Sequence, residues 1–130
     1  MRVMADTNIY ISTLLFPASL PAKVLLHIAG KHELVLCDHI VAEIRDVVGR
    51  KRPDLLADID VLLAQLSYEM IIAPKEPSKL ISDPKDQPIL NAAIMANVDV
   101  IVSGDKHFLK LGMERPKPMS VADFCQLEQG

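Results

Sequence analysis

The chain has no tryptophan, and its two tyrosines and three phenylalanines amount to only 4% of the residues. That scarcity argues against extensive stacking on nucleic-acid bases, because each stacked base needs an aromatic face. Cysteine is nearly absent as well: Cys37 and Cys125 stand apart, with no CxxC pair. His39 lies near Cys37, yet no second Cys or His pair completes a zinc set. Both thiols are therefore expected to be reduced and packed as small hydrophobes. No apolar run approaches the roughly 20 residues that cross a bilayer, so no membrane partner is expected. A strand that begins almost at Met1 leaves no room for the basic and apolar regions of a secretory leader, and a cytoplasmic location is expected. Internal repeats, low-complexity tracts and linkers are missing too.

What the chain does contain is ordinary for a folded protein. Half of its 130 residues are hydrophobic and 24% are charged. One domain spanning residues 1–130 is expected, large enough to bury roughly 65–70% of its unfolded surface. The net charge is −3 and the pI near 5.7, on the face of it a poor match to a polyanionic partner. That argument is weak. If four of the 17 acids gather on metal ions, 13 remain against 14 Lys and Arg, and overall charge does not decide the partner.

Apolar runs and turn signals alternate along the chain. Met1 to Ala5 reads as a buried strand that stops on Asp6-Thr7-Asn8. Helices are predicted over Ile9–Phe16 and from Ser19 or Leu20 to Ala29, the second one stopped by Gly30. Leu34 to Cys37 is a strand with Asp38 at its carboxyl end, followed by a helix from His39 to Gly49. Arg50-Lys51-Arg52-Pro53 is a basic break before a leucine-striped helix, whose stripe suits either core or a dimer surface. Met70 to Ala73 is a third strand, and a polar connection follows from Pro74. Pro88 places the start of the next helix near Asp86, since proline is tolerated only in the first turn. That helix is nearly apolar all round, so burial is expected. Val98 to Val102 is the clearest central strand, ending at Ser103-Gly104-Asp105. A short helix over Lys106–Leu111 and a terminal one over Val121–Leu127 complete the pattern. Strands alternating with helices predict a three-layer α/β/α domain around a parallel sheet of four or five strands.

Asp6 and Asp105 each lie just beyond a buried strand, where ligands of parallel sheets bind if the two strands are neighbours. Each is equally a candidate N-cap for the following helix. Glu43 flanks the apolar stripe of its helix, where an acid either faces solvent or turns inward toward a cation. Asp86 opens a buried helix and competes with Asp83 for whatever role an acid has there. Four carboxylates converging on one edge would repel one another unless divalent cations neutralised them. All-oxygen ligation suits Mg²⁺ or Mn²⁺, which bind phosphate oxygens and activate water for phosphodiester hydrolysis.

Asp6-Thr7-Asn8 after the first strand, Glu43 in a helix, Asp86 before an Ala-rich helix and Ser103-Gly104-Asp105 after a strand resemble, in this order, the PIN-domain ribonucleases. The likeness is greatest to the VapC-like toxin components of toxin–antitoxin pairs, and it spans essentially the whole chain. It implies a metal-dependent endoribonuclease acting on an RNA substrate, with Asp6, Glu43, Asp86 and Asp105 holding Mg²⁺ or Mn²⁺. Thr7, Asn8 and Ser103 match polar positions of the family that orient carboxylates or metal-bound water. The resemblance also implies homodimers and a small antitoxin partner. Many relatives carry a further acid shortly after the last strand; Lys106-His107-Phe108 offers none, and Asp83 is the residue that would compensate.

For substrate contacts the candidates are Arg45, Arg50 and Arg52 around the Glu43 helix, and Lys106 beside Asp105, all capable of salt-sensitive phosphate binding. Arg50 to Arg52 suit a solvated helix C-terminus equally well. His107 is a weaker acid–base candidate, because metal-activated water can serve without it. Two other classes compete. A Mg²⁺-dependent phosphatase of the phosphoaspartate type would carry two acids spaced by one residue after the first strand, where this chain has Asp6 and Asn8. A receiver-like signalling module would need an acidic pair there as well, although Asp38 and Lys106 could stand for its acceptor and lysine.

Overall fold

In the computed structural model, which describes residues 1–73 and 87–129, the central strand is the first one, β1 (Arg2–Ala5). Its residues Val3, Met4 and Ala5 are fully buried, as a strand covered on both faces requires. The chain continues through α1 (Thr7–Leu15) and α2 (Leu20–Lys31) into β2 (Glu33–Cys37), then α3 (Asp38–Lys51). A 3₁₀ turn over Pro53–Leu55 leads to α4 (Leu56–Gln65) and β3 (Glu69–Ile71). Beyond the undescribed stretch come α5 (Gln87–Met95), β4 (Val100–Val102), α6 (Lys106–Leu109), β5 (Lys117–Met119) and α7 (Val121–Gln129).

All strand pairings are parallel, in the order β3-β2-β1-β4-β5. This is the predicted sheet, with five strands and helices flanking it. The chain order reverses at β1, which pairs with β2 on one side and β4 on the other. Sheets of this kind open a crevice at such a point, beyond the carboxyl ends of the strands.

Several boundaries differ from the sequence reading for local reasons. α2 runs through Gly30 to Lys31, because the stop is supplied by His32, which takes an extended conformation while its N–H bonds the Ile28 carbonyl at 2.9 Å. α3 likewise continues through Arg50 and Lys51, whose charges suit the carbonyl end of a helix. The left-handed stop falls instead on Asn97 (φ 55°) after α5, where Asn97 N–H bonds Ile94 and Val98 N–H bonds Ala93. Of the leucine stripe, Ile59, Leu63 and Leu66 are buried and so belong to the core. The expected burial of α5 holds for Gln87 and for Ile89 through Ala93, while Ile94 and Met95 face outward. Asp83, Asp86 and the polar connection from Pro74 lie outside the described residues. No single helix among the described residues is long and apolar enough to cross a membrane.

Candidate functional site

Strand register brings the first two acids together. Ala5 stands opposite Val102 in the β1–β4 ladder, so Asp6 and Ser103 leave the sheet side by side. The ladder extends one bond further, from Asp6 N–H to the Val102 carbonyl at 3.1 Å. The Ser103 hydroxyl then donates to Asp6 Oδ2 and accepts from the Asp105 N–H at 2.9 Å. A single hydroxyl thus links the ends of two strands whose acids lie almost a hundred residues apart in sequence. Ser103 is fully buried, which holds it in this geometry.

Both acids also cap helices, as their positions allowed. Asp6 is the N-cap of α1 and accepts from the Ile9 N–H at 3.3 Å through Oδ1. Asp105 caps α6 through the His107 N–H at 2.8 Å, and the same oxygen lies 3.1 Å from His107 Nδ1. The two roles are compatible, since a capping carboxylate keeps further lone pairs. Asp105 is partly open to solvent, while Asp6 is 4% exposed.

Burial is what sets the chemistry of Asp6. Loss of water raises its pKa, and the nearby charge of Asp105 pushes in the same direction, against the hydrogen bonds from Ser103 and the α1 backbone. Among the described residues no Lys, Arg or His forms an ion pair with Asp6. The buried Thr7 Oγ1 next to it has no hydrogen-bond partner among them either. A buried acid near a second acid, with an orphaned hydroxyl alongside, is an arrangement that a cation completes. The donors are all oxygen, which fits Mg²⁺ or Mn²⁺.

Glu43 arrives from the next strand over. Met4 stands opposite Val35, so Cys37 ends β2 at the same edge as Asp6, and α3 starts immediately afterwards. Glu43 sits in the second turn of α3, half-buried and 3.2 Å from His39 Nε2. Its charge reaches the Cys37 thiol, whose pKa burial pushes up to about 11. Tyr10, fully buried on α1, feels both Cys37 and Asp6, and burial drives its hydroxyl far above the usual range. Tyr10 is core, and its buried hydroxyl has no hydrogen-bond partner among the described residues. The burial of Cys37 is the one expected of a reduced thiol packed as a small hydrophobe. Asn8 is exposed at the mouth, and its backbone assists Asp6. Asp86 and Asp83 fall outside the described residues; Gln87, which follows Asp86, opens α5 and bonds Asn91 Oδ1 at 2.9 Å.

The basic candidates divide. Lys106 follows Asp105 at the site and is exposed. Arg45 pairs with Asp60 on α4, Arg50 with Asp46 at 3.0 Å and Arg52 with Asp54 at 3.0 Å. Arg50 lies two turns past Glu43, about 10 Å further along α3 and away from the acids. Asp38, the acceptor that a receiver-like module would need, is already used: its Oδ1 takes the N–H groups of His39 and Ala73, at 2.9 and 2.7 Å.

No curated protein matches the chain. The solved structure of VapBC2 from Rickettsia felis, bound to a DNA fragment from its promoter, is similar with a TM-score of 0.70. The likeness covers 92% of this chain and 98% of that one at 17% identity, and it shows a shared fold. A family model described as PIN domain matches residues 2–107, from the first strand through the Ser103-Gly104-Asp105 turn. The chain belongs to the PIN-domain family.

Proposed function

We propose that this protein is a metal-dependent endoribonuclease, hydrolysing RNA phosphodiester bonds, and the toxin of a toxin–antitoxin pair. The observation that carries the reading is Asp6: buried, without a cation among the described residues, and tied through one serine hydroxyl to a second acid. A buried acid with a raised pKa costs stability, and such groups concentrate where chemistry is done. Asp6 and Asp105, with Glu43 from α3 and Asp86 from the chain before α5, would hold Mg²⁺ or Mn²⁺. When bound, the ion would supply charge neutralisation at phosphate and a water acidic enough to attack. The chain's own contribution is positional. Ser103 orients both acids, the α1 amides fix Asp6, Tyr10 and Cys37 exclude water from behind, and Lys106 meets substrate phosphate.

The wider reading rests on family membership and on the VapBC2 likeness: one domain over residues 1–130, a cytoplasmic homodimer and a small antitoxin bound to it. The deciding experiment is cleavage of a panel of structured and single-stranded RNAs with Mg²⁺ or Mn²⁺, alongside Asp6→Asn and Asp105→Asn. Wild-type activity should vanish in both variants while circular dichroism stays native. Undiminished cleavage by both would sink the assignment. Copurification with the product of an adjacent small reading frame tests the toxin part separately, and light scattering tests the dimer.

A further inference from the structure

At the opposite edge of the sheet, α2 and α7 bring together a second set of donor atoms. His27 lies in the last turns of α2, and His32 ends it in an extended conformation that carries its ring back beside the helix. Glu128, near the end of α7, places Oε1 2.7 Å from His27 Nε2 and in contact with His32 Nε2 as well. The donor atoms of all three lie within 4.8 Å of one another. Packing, not a loop, fixes them. Both rings stand edge-on to the buried Phe124, at 6.5 and 6.0 Å, and 5.8 Å from each other.

We propose that His27, His32 and Glu128 form a transition-metal site, for Zn²⁺ first, that pins α7 to α2 at the amino edge of the sheet. Two imidazole nitrogens and one carboxylate oxygen are the donor types that Zn²⁺ takes from three protein ligands, with a fourth position left for water. His27 and Glu128 also line an open cleft of about 280 Å³ with Lys23, Phe124 and Cys125. As a purely protein contact the cluster is redundant. Two imidazoles converge on one carboxylate oxygen, for the small gain of a pair near the surface. A divalent ion uses all three donors together. The donors also separate this site from the acid end: imidazole favours Zn²⁺, Co²⁺ or Ni²⁺, whereas the all-oxygen set favours Mg²⁺ or Mn²⁺.

The test is metal binding by the full chain, read without any activity. Zn²⁺ titration calorimetry on the Asp6→Asn, Asp105→Asn double variant should still show one equivalent. In that background His27→Gln or Glu128→Gln should weaken it about tenfold or more, since even indirect partners of a metal are worth that much. Co²⁺ added to the unmodified chain should perturb the imidazole proton resonances of His27 and His32 in addition to those of His39 and His107, which stand beside the proposed acid site. That experiment needs no variant to fold. Loss of all Zn²⁺ binding in the double variant, unchanged affinity in His27→Gln, or Co²⁺ effects confined to His39 and His107 would each overturn the proposal.

Discussion

At the amino edge of the sheet Glu33 and Glu69 are both held by the Arg2 guanidinium, at 2.9 and 2.6 Å, whereas at the carboxyl edge Asp6 is held by a serine hydroxyl and a backbone amide. Arg2 also donates from Nε to the Ala96 carbonyl at 2.8 Å, and its own N–H bonds Asp99 at 2.8 Å. Glu128 at that edge contacts two histidines. The pKa of Glu128 accordingly falls, through its bonds to His32 and then His27. Asp6 moves the other way, chiefly because burial strips it of water. The comparison teaches that the same residue class serves the fold at one edge and burdens it at the other. An acid held against its own solvation marks Asp6, beyond its cap on α1, as a candidate for chemistry.

The largest test of this contrast is chemical. Asp6→Asn or Asp105→Asn should reduce RNA cleavage by more than about 100-fold, exceeding the usual loss for a group that only supports a metal ligand. Ser103→Ala should fall below that, at roughly 10- to 100-fold, because the acids remain but lose their shared donor. The same variant should push the Asp6 pKa higher still, which carboxyl NMR titration would reveal. A Ser103→Ala enzyme of full activity would break the link between the two strand ends.

Stability should respond with opposite signs at the two edges. For Asp6 the folded pKa lies above the unfolded one, so ionising it on raising pH costs the native state, and the cost is absent once pH is below the unfolded value. Asp6→Asn should therefore raise the melting temperature at neutral pH, with the gap to the unmodified chain closing as pH falls through the carboxylate range. Asparagine keeps the N-cap, so the cap itself is not lost. Arg2→Ala should do the reverse, lowering stability by about 1–2 kcal/mol through a lost carbonyl bond and weakened surface pairs. Urea melts of the two variants at neutral pH measure both; equal signs would erase the distinction. Mn²⁺ at 100 times its Kd should add about 2.7 kcal/mol to the unmodified chain and nothing to Asp6→Asn.

The smallest expected effect concerns the basic residues. Lys106→Ala should flatten the salt dependence of RNA binding by about one unit on a log–log plot. Arg50→Ala with Arg52→Ala should leave the slope unchanged, because each side chain already has an acid beside it. A flatter slope in that double variant would extend the RNA path along α3.

How much of this was readable in the sequence depends on the kind of signal. The parallel sheet was, because buried strands such as Leu34 to Cys37 and Val100 to Val102 are apolar on both faces and end at small polar residues. Asp6 and Asp105 were readable as strand-end acids, but their adjacency came from β1 pairing with β4, a choice made by tertiary packing. The cap of α2 was misread because Gly30 is only permissive, and His32 could satisfy the same carbonyl without a positive φ. His27 and His32 gave no signal at a spacing of five, which fits no single helical face. Their convergence depends on Glu128, nearly a hundred residues away.

The Ala5–Val102 pairing also has a bearing on inheritance. Because the two acids are aligned by ladder register and not by loops, the long stretch between them can gain or lose residues at its surface turns without moving the site. A single residue inserted within either three- to four-residue strand is another matter, since a slip of one turns every following side chain to the opposite face. Lineages of this chain should therefore vary in length between the strands and hold the strands themselves to a fixed count.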